Sequence, residues 1–404
     1  VYRGSFAIVD ERAITANVAA IKQTLHANTR LMIAVKANGY GHGATRVVEA
    51  ALAGGATDFG VATVEEALQL RTADVRSPIL VLGAVTPAGA AAAARHQIAV
   101  AMVDDWRLDD AYAQIAGPLQ VHIKVDTGMS RLGVQPDLVC DLMRWVDRQP
   151  NLHLAGLFTH LACADASSSA HSQSQIDRFD SVLADIRANG LTVPLVHAAN
   201  SGGTLRDRAW HYDMVRVGIA AYGYPPSPTM LLDVSLQPAM GLYSMITRIA
   251  DLAAGSTISY GATYTAKARM RVATVPIGYA DGYPRALSNK SHVAVHGMLV
   301  PVVGTVCMDQ LMIDVSDVDN VQTGDAVTLF GAHAPADWHM RELVARADDE
   351  AAQVRFITDT FAANVAPARV PTLSLDTLAT QAGTISYELM CALSPRVPRL
   401  YVQG

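Results

Sequence analysis

Cysteine is scarce in this chain. Four occur in 404 residues, Cys140, Cys163, Cys307 and Cys391, far apart and with no C-x-x-C spacing. They read as reduced thiols of a cytoplasmic protein, not as two disulfides. Charge is also sparse, at 17% of residues, while half the chain is hydrophobic. That excludes an intrinsically disordered protein. The 31 basic and 37 acidic residues leave a net charge of −6, so nothing draws the chain globally to nucleic acid. No run reaches the roughly 18 apolar residues of a membrane span. The nearest, 83–102, is Ala-rich but broken by Arg95, His96 and Gln97, and Val1 to Asp10 lacks the pattern of a signal peptide. G-x-S-x-G, H-E-x-x-H and G-x-x-x-x-G-K-S/T are all missing, so hydrolase, zincin and P-loop chemistry lack support and no metal is expected.

What is present is a rhythm. Up to about residue 220, eight short apolar runs, at 31–36, 58–62, 79–82, 98–103, 120–125, 152–158, 193–197 and 214–217, alternate with amphipathic stretches. After the first, Ala44, Val47, Val48, Ala51 and Leu52 fall at helical spacing. After the second, Thr63 and Glu66 form a capping-box pattern, Thr63 as N-cap and Glu66 reaching back to it. Strands separated by helices require crossovers and a parallel sheet, and eight units are the number that closes a (β/α)₈ barrel. An open doubly wound sheet is the alternative. Near residue 235 the rhythm turns to β. Runs at 243–250, 271–278, 292–296, 300–306, 311–315 and 326–330 are rich in Val, Ile and Thr, with glycines between them. The Pro-rich segment 222–232 reads as a linker, and helical patterning returns over 337–363. The expected architecture is α/β plus β, an N-terminal TIM-type barrel over 9–232 and a C-terminal mostly β-strand domain over 233–404.

Catalytic side chains of a barrel collect where strands end. Here the first strand ends at Lys36, the fifth at Lys124 with Arg131 beyond it, and the eighth carries Arg216. An unpaired charge in a buried strand costs several kcal/mol, so three cations at strand ends point to an anionic ligand. A desolvated lysine loses its proton and condenses with an aldehyde. Pyridoxal phosphate fits: its ring is an electron sink, and its phosphate suits Ser201-Gly202-Gly203 and Gly218-Ile219 after the last two strands. Gly39-x-Gly41-x-x-Ala44 also fits a relaxed dinucleotide fingerprint, but the next strand ends in Val61-Ala62 with no acid for the ribose. His292 and His296 lie four apart in a run with strand patterning and read as structural.

The segment Ala34-Val35-Lys36-Ala37-Asn38-Gly39-Tyr40-Gly41-His42-Gly43 resembles the cofactor-attachment signature of the alanine racemases. So do the blocks Lys124 to Gly133, Phe158-Thr159-His160, Asn200-Ser201, Arg216 to Ile219, Ser259 to Tyr264, Tyr279 to Arg285, Cys307 to Gln310 and Thr384 to Glu388, in the family's order. The resemblance implies the same two-part fold, with residues 1–8 joining the β domain. It also implies a head-to-tail homodimer in which one subunit's barrel meets the other's β domain.

It implies roles as well. Lys36 holds pyridoxal phosphate and acts as base on one face of Cα, and Tyr260 of the partner subunit acts on the other. A tyrosine ordinarily ionises near pH 10, so its phenolate needs help, and Arg131 stands to give it. Arg131 also meets the substrate carboxylate with the Met308 backbone. Arg216 faces the pyridine nitrogen with His160 behind it, and Asn200 is a further cofactor-binding residue. Tyr40, Ser201, Gly218, Ile219 and Tyr387 bind phosphate, and Lys124 is a site of carbamylation in some members. Alanine is the implied substrate. A serine or broad-specificity racemase, a basic amino-acid decarboxylase and a non-catalytic pyridoxal-phosphate carrier are the alternatives. The chain departs from the family in a helical insertion around 333–371.

Overall fold

The computed structural model describes residues 1–334, 338, 340–364 and 373–402. They fall into two units, Ala13–Gln237, and Val1–Arg12 together with Pro238–Gly404.

In the first unit eight parallel strands close into a barrel: Arg30–Ala34, Asp58–Val61, Ile79–Val81, Ala99–Met102, Leu119–Lys124, Leu152–Phe158, Val196–His197 and Met214–Val217. Each lies on one of the eight apolar runs. The open-sheet alternative is excluded by closure, since the last strand pairs with the first from Arg30 opposite Met214 to Ile33 opposite Val217. Crossover helices such as Ala44–Ala53, Val64–Thr72 and Ala170–Ala188 cover the outside. Both faces of each strand are thereby buried, which is why the strands read as nearly continuous apolar runs. In helix Ala44–Ala53 the buried stripe is Val47, Val48, Ala50 and Ala51, and Leu52 is exposed instead. Barrel strands contribute Met32, Leu80 and Met214 to one buried cluster and Ala101 and Phe158 to another.

The second unit is built on a six-stranded sheet in the order Met298–Pro301, His292–Val295, Ala326–Phe330, Met240–Met245, Phe6–Asp10 and Arg399–Val402. A three-stranded sheet, Arg248–Leu252, Met270–Val275 and Leu311–Asp314, stands beside a short ribbon of Thr257–Ile258 and Tyr264–Thr265. Three β runs differ from expectation, the first being 271–278, whose strand stops at Val275. Run 243–250 is two strands in different sheets: the Ile246 N–H still pairs with Asp325 O, beside strand Ala326–Phe330, but the Thr247 N–H goes to Thr274 O of strand Met270–Val275. Run 300–306 stays a strand only to Pro301, since Gly304, at φ +78°, turns the chain away.

Of the helical patterning at 337–363, the structure gives Met340–Val344 and Glu350–Asn364; residues 335–337, 339 and 365–372 of the insertion lie outside the described residues. Trp338, Met340, Leu343 and Ile357 are buried with Phe6 and Tyr243 in one core. The insertion therefore supplies core to the β unit. Among the described residues no helix is long and apolar enough to cross a membrane, and no cluster of ligating side chains could hold a metal ion.

Candidate active site

Lys36 follows the first barrel strand and opens an unusual turn. Ala37, Asn38, Gly39 and Tyr40 all have φ between +51° and +62°. The left-handed conformation costs an L-residue roughly 1–2 kcal/mol, so something must hold it. Glu66 does. Its Oε1 accepts the Ala37 N–H at 2.6 Å and its Oε2 the Ala62 N–H at 2.7 Å. Asn38 Oδ1 accepts the Ala44 N–H at 3.0 Å, and Gly39 N–H reaches Val35 O at 2.8 Å. The capping box is thus half correct. Thr63 caps its helix through the Glu66 N–H, but the Glu66 carboxylate fixes the residue beside Lys36.

Tyr40 is buried and stacks on Tyr222 with ring centres 4.7 Å apart. A Cβ at Gly218 would lie 2.6 Å from Tyr40 Oη, so only glycine permits this approach. Gly218 donates its N–H to Ser201 Oγ at 2.8 Å, and Ile219 beside it is fully buried. Ser201 opens the short helix Ser201–Arg206. Asn200 is its cap, accepting the Gly203 N–H at 3.0 Å and donating to Leu161 O at 3.1 Å. The fold has brought Tyr40, Ser201 and Gly218 together.

Arg216 is 5% exposed and enclosed by acceptors. Its Nη1 donates to His197 Nδ1 at 2.9 Å, and its Nη2 to Thr159 O at 2.7 Å, Ala198 O at 3.0 Å and His160 Nδ1 at 3.2 Å. The guanidinium lies over the Phe158 ring at 5.1 Å. Burial pulls it down to about 9, which leaves it protonated at neutral pH. Behind His197, at 3.0 Å from its Nε2, sits His122 Nδ1. A guanidinium only donates, so the imidazoles that face it are neutral acceptors at Nδ1. Their basicity agrees. Burial, then the Arg216 charge, lowers His160 and His197 well below the ordinary histidine value, and burial with Arg30 and Arg216 takes His122 to about 3.

Lys124 is 4% exposed, and burial with the nearby Arg131 and Arg216 charges lowers it to about 8. His160 feels Arg216, Lys124, Arg131 and Lys36 together, so the four predicted cations converge at one mouth of the barrel. Arg131 is exposed and makes no hydrogen bond or ion pair among the described residues. Its loop is held by Asp126, whose Oδ1 accepts the N–H groups of Gly128 and Ser130 at 3.0 Å each.

The remaining predicted residues belong to the β unit. Tyr260 is 73% exposed and Met308 51%. Their loops touch, with Ser259 Oγ 3.3 Å from Cys307 Sγ. The Met308 and Cys307 carbonyls are fixed by the N–H groups of Ala280 and Tyr279 at 3.0 Å each. Tyr387 is half-buried in the first turn of helix Ser386–Ala392.

Three participants were absent from the sequence reading: His122, His197 and the Glu66 carboxylate in its actual role. A signal for His122 existed. It shares strand parity with Lys124, so both side chains point to one side of the strand, and its chain neighbours Val121 and Ile123 are apolar.

Comparison with known proteins identifies the family. Residues 9–226 match the model for the alanine racemase N-terminal domain and residues 239–360 that for the C-terminal domain. The chain belongs to the alanine racemase family. It is 40% identical over 402 residues to the alanine racemase of Symbiobacterium thermophilum, covering 99% of this chain and 97% of that one. To the alanine racemase of Nostoc sp. it is 39% identical over 402 residues, covering 98% and 95%. A crystal structure of alanine racemase from Bacillus anthracis with bound L-Ala-P superposes with a TM-score of 0.86 at 33% identity, covering all of this chain and 96% of that one. One from E. faecalis gives 0.85 at 35%, covering 99% and 98%.

The family depends on pyridoxal phosphate, and the residues here suit it. Tyr40, Ser201 and Gly218 form a cradle that a Cβ would fill. The hydrogen bonds of Arg216 use Nη1 and Nη2, so its Nε–H has no acceptor among the described residues and is available to a ring nitrogen. Lys36 carries a primary amine of the kind that condenses with an aldehyde.

Proposed function

We propose that the chain interconverts L- and D-alanine by proton transfer at Cα between two bases, Lys36 on one face and Tyr260 of the partner subunit on the other. The observation that carries this reading is the enclosure of Arg216 by neutral acceptors. Pyridoxal phosphate, when bound, supplies an electron sink for the α-carbanion. Arg216 would offer its ring nitrogen a hydrogen bond without surrendering a proton, which a carboxylic acid in that place would do. Arg216 would thereby favour return of the proton to Cα over side reactions. Tyr40, Ser201, Gly218, Ile219 and Tyr387 hold the phosphate, with Asn200 setting the Ser201 helix. His160 backs Arg216.

Arg131, an unengaged cation, meets the substrate carboxylate together with the Met308 backbone and stabilises the Tyr260 phenolate. Lys124, with its lowered basicity, is partly neutral near pH 8, the form that takes up carbon dioxide. A carbamate there would pair with Arg131, and an intact mass raised by one carbon dioxide that is lost on acidification tests it. The exposure of Tyr260 and Met308 suits a homodimer in which each β unit serves the other subunit's barrel. Thiols at Cys140, Cys163 and Cys307 are consistent with a cytoplasmic location.

The experiment is solvent-deuterium incorporation by Tyr260→Phe. Racemisation collapses in both directions, while Lys36 still exchanges the α-proton of one enantiomer. Equal exchange of both enantiomers would remove Tyr260 as the second base. Racemisation rates on L-alanine and L-serine, measured side by side, test the substrate, and alanine is expected to be the faster.

A further inference from the structure

The residue proposed as second base sits on a strained hairpin. Thr257–Ile258 and Tyr264–Thr265 pair antiparallel, Ile258 opposite Tyr264, and the five residues between them form the loop. In it Ser259 has φ +67° and ψ −177°, Gly261 φ +73° and Ala262 φ +49°. The Ser259 conformation belongs almost entirely to glycine and needs outside support. The Tyr260 ring cannot provide it. It is largely exposed and makes no hydrogen bond among the described residues.

The support comes through the backbone, from Thr305. Its Oγ1 donates to the Tyr260 carbonyl at 2.8 Å, and its own carbonyl accepts from Ser259 Oγ at 2.5 Å. Thr305 itself is buried, and both bonds are partly buried. The direction of the chain behind it follows from the donors. The Thr305 proton is used on Tyr260 O, so in the 3.2 Å contact between Thr263 Oγ1 and Thr305 Oγ1 the Thr263 hydroxyl must donate. Thr263 Oγ1 in turn accepts from Asn289 Nδ2 at 3.1 Å, and Asn289 Oδ1 accepts the Gly304 N–H at 2.6 Å. At Gly304 a Cβ would come within 2.8 Å of Ser259 Cβ, so the turn at Gly304 lies directly against the loop. We infer that Thr305 is a positioning residue for the reaction: its hydroxyl and carbonyl clamp residues 259–260 and so aim the Tyr260 phenol. The inference rests on the reading of Tyr260 as the second base.

The test compares Thr305→Val, which keeps the shape and removes the hydroxyl, with Thr305→Ser, which keeps the hydroxyl. Each is prepared as holoenzyme beside the wild type and Tyr260→Phe. Misplacing a catalytic group by about 1 Å costs up to roughly a hundredfold in rate. Thr305→Val should therefore lose about 10- to 100-fold in kcat with little change in KM. The loss should fall on deuterium exchange of the enantiomer that Tyr260→Phe also fails to exchange, leaving the other enantiomer's exchange intact. Thr305→Ser should retain most of both. A readout independent of turnover is amide hydrogen exchange of the peptide spanning 257–265, which should quicken in Thr305→Val only.

Equal loss on both faces, loss in both Thr305 variants, or no loss in Thr305→Val would each overturn the clamp. If Thr305→Val does not fold, Asn289→Ala removes the far end of the same chain, and unchanged exchange in that variant would overturn it. Equal exchange of both enantiomers by Tyr260→Phe would instead remove Tyr260 as the base, and Thr305's role with it. Tyr260-dependent exchange untouched by Thr305→Val removes Thr305 alone.

Discussion

Arg216 and His197 meet at 2.9 Å, and the direction of that hydrogen bond is fixed because the guanidinium can only donate. His197 therefore carries its proton on Nε2 and donates it in a hydrogen bond to His122 Nδ1, 3.0 Å away. The two imidazoles form a directed hydrogen-bond chain beneath Arg216, neutral throughout.

Acid should attack this arrangement. Both histidines are less basic in the fold than their ordinary value of 6.5, His122 at about 3. Between those values the unfolded chain binds a proton at His122 that the folded one refuses, so its contribution is complete above about pH 6.5 and is lost as pH falls towards 3, about tenfold in the folding constant per pH unit. His197 acts with the same sign. Thermal unfolding midpoints from pH 7 to pH 4 should fall in the wild type, and less steeply in His122→Gln. A flat wild-type profile would show that the pair is not held neutral.

Arg216→Glu replaces the fixed donor with a group that can protonate a pyridine nitrogen. Racemisation should fall while transamination rises relative to it, and substrate should give a long-wavelength absorbance that the wild type does not show. An unchanged partition between the two reactions would contradict the electronic role of Arg216.

Glu66→Gln tests the turn at Lys36. The carboxylate accepts two backbone N–H groups, from Ala37 and Ala62, and an amide oxygen can replace only one of those oxygens. The loss should be about 1–2 kcal/mol of stability. Borohydride fixation of the cofactor should still label Lys36, but more slowly. Undiminished stability would mean that the left-handed turn holds itself.

Much of this was legible in the residues, for reasons that can be stated. Barrel strands are covered on both faces, so runs such as ILVL at 79–82 stand out against the amphipathic stretches between them. Lys36, Lys124 and Arg216 stand out because cations are anomalous in such strands. His122 and His197 did not, since a histidine in a strand is chemically unremarkable until its partner is known, and theirs is 75 residues away. Glu66 misled for a related reason. Its local pattern fits a capping box, yet the Ala37 N–H, exposed by a left-handed turn that no periodicity encodes, competes for the same oxygen. Run 243–250 looked like one strand because composition does not record where a backbone changes sheets.

The central claim is that Lys36 of one chain works with Tyr260 of another. Subunit complementation tests it most directly. Lys36→Ala and Tyr260→Phe chains, each inactive alone, are mixed and allowed to exchange, with mixed dimers verified by native mass spectrometry. Half the dimers are then mixed and each has one intact site, so roughly a quarter of wild-type racemase activity should return. No recovery in a verified mixture would contradict the account, because each chain would then be building its site alone.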